Sequence, residues 1–176
     1  MKHSLRRIFA PTLILLSTIL ALGISAQPMP PENGKQLAPD FTLHDLQGKR
    51  YTLHELRGQV VVINFWATWC GPCRYEIPDL TRIYNSYKEE GVIVLGISLD
   101  DLHPDQIGRF SKNYKISYPV LHGPRSELAK LTAAYGGISS IPTTFIVDRD
   151  GYIAQDNIIV GARNEAAFKA KINPLL

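Results

Sequence analysis

The 176-residue chain has two cysteines, and both lie in one short run, Cys70-Gly71-Pro72-Cys73. Two thiols with two residues between them suit disulfide exchange: one attacks a partner's disulfide, and the other resolves the mixed disulfide. The spacing makes a poor structural staple, because closing so short a loop removes little freedom from the unfolded chain. Zinc fits less well. A structural site asks for four ligands, and His44, His54, His103 and His122 are scattered without ligand spacing. Soft thiolates suit Cu(I), but the chain has no Met- or His-rich tract to support a copper carrier.

The dithiol has to be presented by the elements around it. Val60-Val61-Val62-Ile63-Asn64-Phe65, almost wholly apolar, predicts a strand buried on both faces. A helix is expected after the cysteines, from about Arg74 to Glu90, with Ile77, Leu80, Ile83, Tyr84 and Tyr87 near one face. Pro78 should kink it and Gly91 should end it. A helix N-terminus offers unpaired N–H groups and a positive dipole end, which favour the nucleophilic thiolate. Gly71-Pro72 keeps the turn tight. Cys70 is expected to face solvent, with Cys73 deeper in the helix. Trp66 is expected in the core, and Trp69 as an exposed platform beside the site.

The second buried strand, Val92–Leu99, follows the helix, so residues 60–99 predict a right-handed β-α-β unit with parallel strands. Before it, Ala38–Leu43 and Tyr51–Leu53 around the turn Gln47–Arg50 read as a hairpin, followed by one helical turn at His54–Arg57. After it come a helix at Pro104–Tyr114, a short strand at Tyr118–Leu121 and a helix at Ser126–Tyr135. A loop, Ile138–Pro142, leads to a strand at Thr143–Val147 and the turn Asp148–Gly151. The return strand runs to Val160 with a bulge near Gln155-Asp156, and Asn164 caps a last helix to Ile172. The result is an α/β fold, a mixed central sheet flanked by helices.

Residues 1–26 have a different character. Lys2, Arg6 and Arg7 precede an apolar stretch, Ile8–Ile24, and small residues end at Ala26. That is the pattern of an export signal, cleaved near Ala26 or retained as an anchor through residues 8–24. A linker, 27–35, then joins it to a domain over 36–176. The net charge of +3 comes from the leader; beyond it, 16 basic residues face 16 acidic ones. The basic balance therefore gives no argument for nucleic-acid binding.

Phe65-Trp66-Ala67-Thr68-Trp69-Cys70-Gly71-Pro72-Cys73-Arg74-Tyr75-Glu76-Ile77-Pro78, with Ile141-Pro142-Thr143 far downstream, resembles the thioredoxin superfamily. More narrowly it is similar to the exported thiol–disulfide oxidoreductases of bacteria, the TlpA, ResA and CcmG/DsbE proteins. Ala38-Pro39-Asp40-Phe41, Tyr118-Pro119-Val120-Leu121 and Pro142-Thr143-Thr144-Phe145-Ile146-Val147-Asp148 extend the likeness over about residues 36–172. The resemblance implies a thioredoxin-like fold with an N-terminal β-hairpin and a central α/β insert. It implies that Cys70 attacks and Cys73 resolves, and that Pro142 is a cis-proline facing the dithiol. Trp69, Gly71, Pro72, Ile141 and Pro142 are then expected to contact the substrate, with Asn64 and Trp66 in support. Glu76 matches a glutamate thought to assist proton movement. Asn64 stands where cytosolic thioredoxins keep a buried aspartate, which points away from that branch.

Two stretches depart from the pattern: Ile138-Ser139-Ser140-Ile141 replaces a frequent glycine-containing approach to the proline, and His122 stands where aspartate is frequent. Peroxiredoxins share the strand region but want a threonine three residues before the peroxidatic cysteine, where this chain has Ala67.

The implied activity is reduction of disulfides in exported proteins, with apocytochrome c among the candidate substrates. No cofactor is needed. A membrane protein of the DsbD or CcdA type is the expected electron donor, and the mature domain is expected to be a periplasmic or otherwise extracytoplasmic monomer. A disulfide-donating oxidase is the rival within the same chemistry. A thiol-based chaperone or copper-binding module is the rival from another class.

Overall fold

A computed structural model describes residues 34–176 of the chain. The candidate leader, and all of the linker before Gly34, lie outside the described residues. Eight strands and four helices follow in chain order: β1 (Lys35–Leu37), β2 (Thr42–Asp45), β3 (Arg50–Thr52), β4 (Val60–Trp66), α1 (Gly71–Tyr87), β5 (Val92–Ser98), α2 (Pro104–Asn113), β6 (Val120–His122), α3 (Arg125–Ala134), β7 (Thr143–Val147), β8 (Tyr152–Val160) and α4 (Glu165–Ile172). Short 3-10 turns occur at Leu53–Leu56, Lys88–Glu90 and Asn173–Leu175. Among the described residues no helix is long and apolar enough to cross a membrane.

All strands join one mixed sheet in the order β1-β8-β7-β4-β5-β6-β2-β3. β4 lies inside it, parallel to β5 and antiparallel to β7, and all seven of its residues are buried. This explains the continuous apolar run: a strand covered on both faces has no solvent side to mark with polar residues. Its alternate side chains feed two cores. Val60, Val62 and Trp66 pack with Ile77, Leu80 and Ile83 of α1 and with Phe168 of α4. Val61, Ile63 and Phe65 pack on the other face with Leu128 and Leu131 of α3. Each fully buried Val, Ile or Leu contributes about 1.5–3 kcal/mol relative to exposure. The two layers thus hold β4, and the cysteines that follow it, in a fixed place.

Three elements differ from the sequence reading. β1, which pairs antiparallel with β8, was not expected; it has three residues with no apolar alternation. The first hairpin strand is Thr42–Asp45, not Ala38–Leu43. Pro39 has no N–H to give a ladder, so regular pairing starts beyond it. α1 begins at Gly71 rather than Arg74, because Pro72 is at home in a first helical turn, and it runs on through Pro78 to Tyr87. The expected bulge is present: Phe145 pairs with Ile158 and Val147 with Ile153, so β8 carries extra residues between them.

The end of the sheet away from the cysteines is closed by one side chain. The Arg149 guanidinium donates to the carbonyls of Gly58 (2.6 Å), Glu90 (3.2 Å), Leu175 (3.3 Å) and Leu176 (3.2 Å).

Candidate active site

The dithiol sits where β4 hands the chain to α1. Cys70 is the N-cap of α1, and its Sγ accepts the Cys73 backbone N–H at 3.1 Å. A sulfur that accepts a helix N-terminal N–H is in the place where a thiolate is stabilised. The two cysteines form a disulfide with Cα atoms 5.3 Å apart. Cys70 Sγ lies 3.6 Å from the Ile141 carbonyl oxygen, and the Ile141–Pro142 peptide is cis, as the resemblance implied. The loop before β7 therefore faces the disulfide, although some 70 residues separate the two in sequence.

One expectation is corrected. Cys70 does not stand open to solvent in the disulfide form: it is 4% exposed, close to the 2% of Cys73. Its sulfur is bonded to Cys73 in the first turn of the helix, and the Ile141 carbonyl lies over it from across the site. Exposure is concentrated instead on Trp69, at 69%, and on Tyr75 one turn along. Pro72 is also exposed, Gly71 and Ile141 are half-buried, and Pro142 is buried. Trp66 lies fully in the core.

Glu76 is on α1, three residues after Cys73 and so on the same side of the helix. It is 1% exposed. Its Oε2 accepts from Asn64 Nδ2 at 3.2 Å and its Oε1 from the Arg163 backbone N–H at 3.2 Å. Asn64 Nδ2 also donates to Thr144 Oγ1 at 2.9 Å. Burial pushes the Glu76 carboxyl up to about 7, against the pull of those two donors. A carboxyl poised there exchanges a proton readily at neutral pH. Asn64 links β4, α1 and β7 at this point. An aspartate in its place would put a second carboxylate against Glu76.

A second polar knot, around Asp100, has no counterpart in the sequence reading. Asp100, 3% exposed at the end of β5, accepts from the Thr68 backbone N–H (2.9 Å), the Thr68 hydroxyl (2.6 Å) and the Ser98 hydroxyl (2.7 Å). It thereby fixes the turn that carries Trp69 and Cys70. The available signal was an acid directly after a buried strand, which reads equally well as a solvated loop. Thr144 and the Arg163 backbone were also missed. Thr144 is visible only through the pairing of β4 with β7, which places it opposite Asn64.

A dithiol at a strand–helix junction, faced by a cis-proline and backed by a buried carboxyl, defines a thioredoxin-fold thiol–disulfide oxidoreductase. Comparison with known proteins places it further. The chain belongs to the AhpC/TSA family, whose model matches residues 35–156. It is 30% identical to the thiol-disulfide oxidoreductase ResA of Geobacillus thermodenitrificans over 97% of both chains. It is 36% identical to ResA of Bacillus thuringiensis over 71% of this chain and 69% of that one. A solved thiol:disulfide interchange protein of the thioredoxin family from Chlorobium tepidum superposes with a TM-score of 0.72 at 31% identity, covering 82% of this chain and 99% of that one.

Proposed function

We propose that this protein is a reductant of disulfides in exported proteins, working outside the cytoplasm behind the leader at residues 1–26. Cys70, as thiolate at the α1 N-terminus, attacks a sulfur of the partner's disulfide and forms a mixed disulfide, releasing the first partner thiolate. The Glu76 carboxylate takes the proton of Cys73, and Cys73 attacks Cys70 Sγ. The Cys70–Cys73 bond forms and the second partner sulfur leaves reduced. Trp69, Gly71 and Pro72 on one side and Ile141 and Pro142 on the other bound the surface over the disulfide where an extended partner segment lies. Asn64 and Trp66 hold the carboxyl and the strand end behind it. Apocytochrome c is the substrate suggested by the likeness to ResA, and a membrane protein of the DsbD or CcdA type is the donor that restores the dithiol.

The observation that carries this direction is the buried Glu76. Its negative charge, developing near neutral pH one turn from Cys73, disfavours a thiolate beside it. The α1 N-terminus favours the Cys70 thiolate and Glu76 opposes one at Cys73; the less the reduced pair gains as thiolate, the better it reduces. The test is the reduction potential of the Cys70–Cys73 pair, equilibrated in defined glutathione or dithiothreitol buffers. A value at or below about −200 mV supports the reductant; one close to about −120 mV assigns disulfide donation instead.

A further inference from the structure

Charge is unevenly placed around the disulfide. The stretches that form the site, residues 66–78, 136–147 and 157–163, hold three charged side chains: Arg74, Glu76 and Arg163. Glu76 is buried, whereas both arginines are exposed. Arg74 lies at the start of α1, and its backbone N–H donates to the Cys70 carbonyl at 3.2 Å. Its guanidinium folds back toward the residues between the cysteines: a methyl group built on Gly71 would lie 4.0 Å from Arg74 Nη2. Arg163 approaches from the loop after β8. Its Nη1 donates to the carbonyls of Ala162 (2.9 Å) and Gly161 (3.4 Å), and the Gly161 N–H donates to the Pro142 carbonyl at 2.8 Å. One guanidinium is thus anchored beside Cys70 and the other beside the cis-proline.

Among the described residues neither guanidinium has a carboxylate within 4.0 Å. The neighbouring acids are engaged elsewhere. Asp79 and Glu165 both pair with Arg82, at 2.6 and 2.7 Å. On the Trp69 side Asp101 pairs with Arg125 at 3.4 Å, and Asp100 is buried beneath the Thr68 N–H. Glu76 lies beneath the arginines and is mostly protonated below pH about 7. A guanidinium is a fork of donors that matches a carboxylate. Arg163 uses only Nη1 on its own loop, so its other N–H groups stay available. Unmatched cations at the rim of a site draw anions to it, and they act on encounter and choice of partner more than on affinity. In an extended segment, a residue one or two places from the attacked cysteine lies about 3–7 Å along the chain. Its side chain is then in reach of a guanidinium anchored next to Cys70 or next to Pro142.

We propose that Arg74 and Arg163 select the partner: they receive carboxylates flanking the attacked disulfide, so the preferred substrates are proteins whose disulfide lies in an acidic segment. The inference rests on the exchange reaction given above and adds which disulfides undergo it. The two arginines meet the partner's flanking side chains, not the reacting sulfurs, and so set specificity without entering the sulfur chemistry.

The test uses the full-length protein, reduced and freed of excess dithiothreitol, with two synthetic peptides. Each peptide is closed by one disulfide, and they differ only in whether aspartate or lysine flanks the cysteines. The second-order rate with each peptide is divided by that of the same peptide with dithiothreitol, which also attacks as a single thiolate; this removes the peptide's own reactivity. At low ionic strength and about pH 6, the aspartate peptide is expected to be favoured about tenfold, shrinking to about twofold in about 1 M salt. In the double variant Arg74→Gln/Arg163→Gln the preference is expected to vanish. Glutamine at 163 keeps the backbone N–H that Glu76 accepts. Lys88→Gln, which removes a charge about 20 Å away along α1, should leave the preference as it is. Loss of folded protein slows both peptides alike and does not move the ratio. Equal rates in the wild type, a preference for the lysine peptide, or a preference that survives the double substitution overturns the proposal. Failure to reduce either peptide would sink the exchange reading along with it, whereas equal reduction of both sinks the selection alone.

Discussion

Replacing Glu76 by glutamine should change how the stability of the disulfide-bonded protein depends on pH. The carboxyl is raised from an ordinary 4.5 to about 7 by burial. Between those values the unfolded chain has lost the proton while the folded protein still holds it. The folded state therefore binds more protons, and stability falls as pH rises through this window. A difference of about 2.5 units at about 1.4 kcal/mol each amounts to about 3 kcal/mol lost between pH 4.5 and pH 8. For a domain of this size that is a fall in Tm of about 10 °C. Glutamine cannot ionise, so the variant should lack this slope. Its amide is tolerated if Asn64 turns its carbonyl toward it, since the Thr144 hydroxyl can then donate where it now accepts.

Other carboxylates do not confuse the window. Asp156, held low by the Lys171 ammonium, and Glu165, held low by Lys169 and Arg82, give stability that is present above their ordinary range and lost only in acid. The assay is urea unfolding of both proteins, oxidised, in steps from pH 5 to 8.5. The wild type should be the more pH-sensitive, the two curves diverging by about 2.5 kcal/mol across the range. Parallel curves would refute the argument, because a buried carboxyl with raised proton affinity cannot leave stability unchanged as it ionises.

Three further outcomes are expected. Cys73→Ser should accumulate a covalent mixed disulfide with a disulfide-bonded protein substrate, seen as a reducible adduct on non-reducing gels, whereas Cys70→Ser should form none. Asp100→Ala strips Thr68 and Ser98 of their acceptor and should cost about 3 kcal/mol by urea unfolding; Thr68→Val, which keeps the backbone N–H bond, should cost about 1 kcal/mol. Gly96→Ala places a carbon 2.8 Å from the fixed Tyr118 ring and should cost about 1–3 kcal/mol in the same measurement.

Much of this was legible in the residues. The run Val60–Phe65, the spacing Cys70–Cys73 and the turn residues Asp148–Gly151 each carry a local signal that tertiary context did not override. Asn164, read as a cap, does accept the Ala167 N–H. What escaped depends on partners distant in sequence. β1 exists because β8 offers an edge to it, and three residues without periodicity cannot announce that. The burial of Cys70 follows from the approach of Ile141, which no spacing within residues 60–90 reveals. Asp100 gave no sign that it would tie Thr68, 32 residues earlier, and Tyr118 none that its hydroxyl would be buried unpartnered. Apolar periodicity reports which face is inside; it does not report which polar atoms meet there.

The Arg149 clasp has a practical consequence. It gathers the carboxyl-terminal Leu175 and Leu176 to the end of the sheet where β4 begins, whereas Cys70 lies just beyond the end where β4 finishes. A handle fused after Leu176 therefore leaves from the pole opposite the dithiol. On a bead or sensor chip, molecules held by that handle would present the reactive disulfide outward and in one orientation. A spacer of a few flexible residues would leave the Leu176 carbonyl in the grip of the guanidinium. Capture of mixed-disulfide partners from a cell extract is best arranged from that end of the molecule.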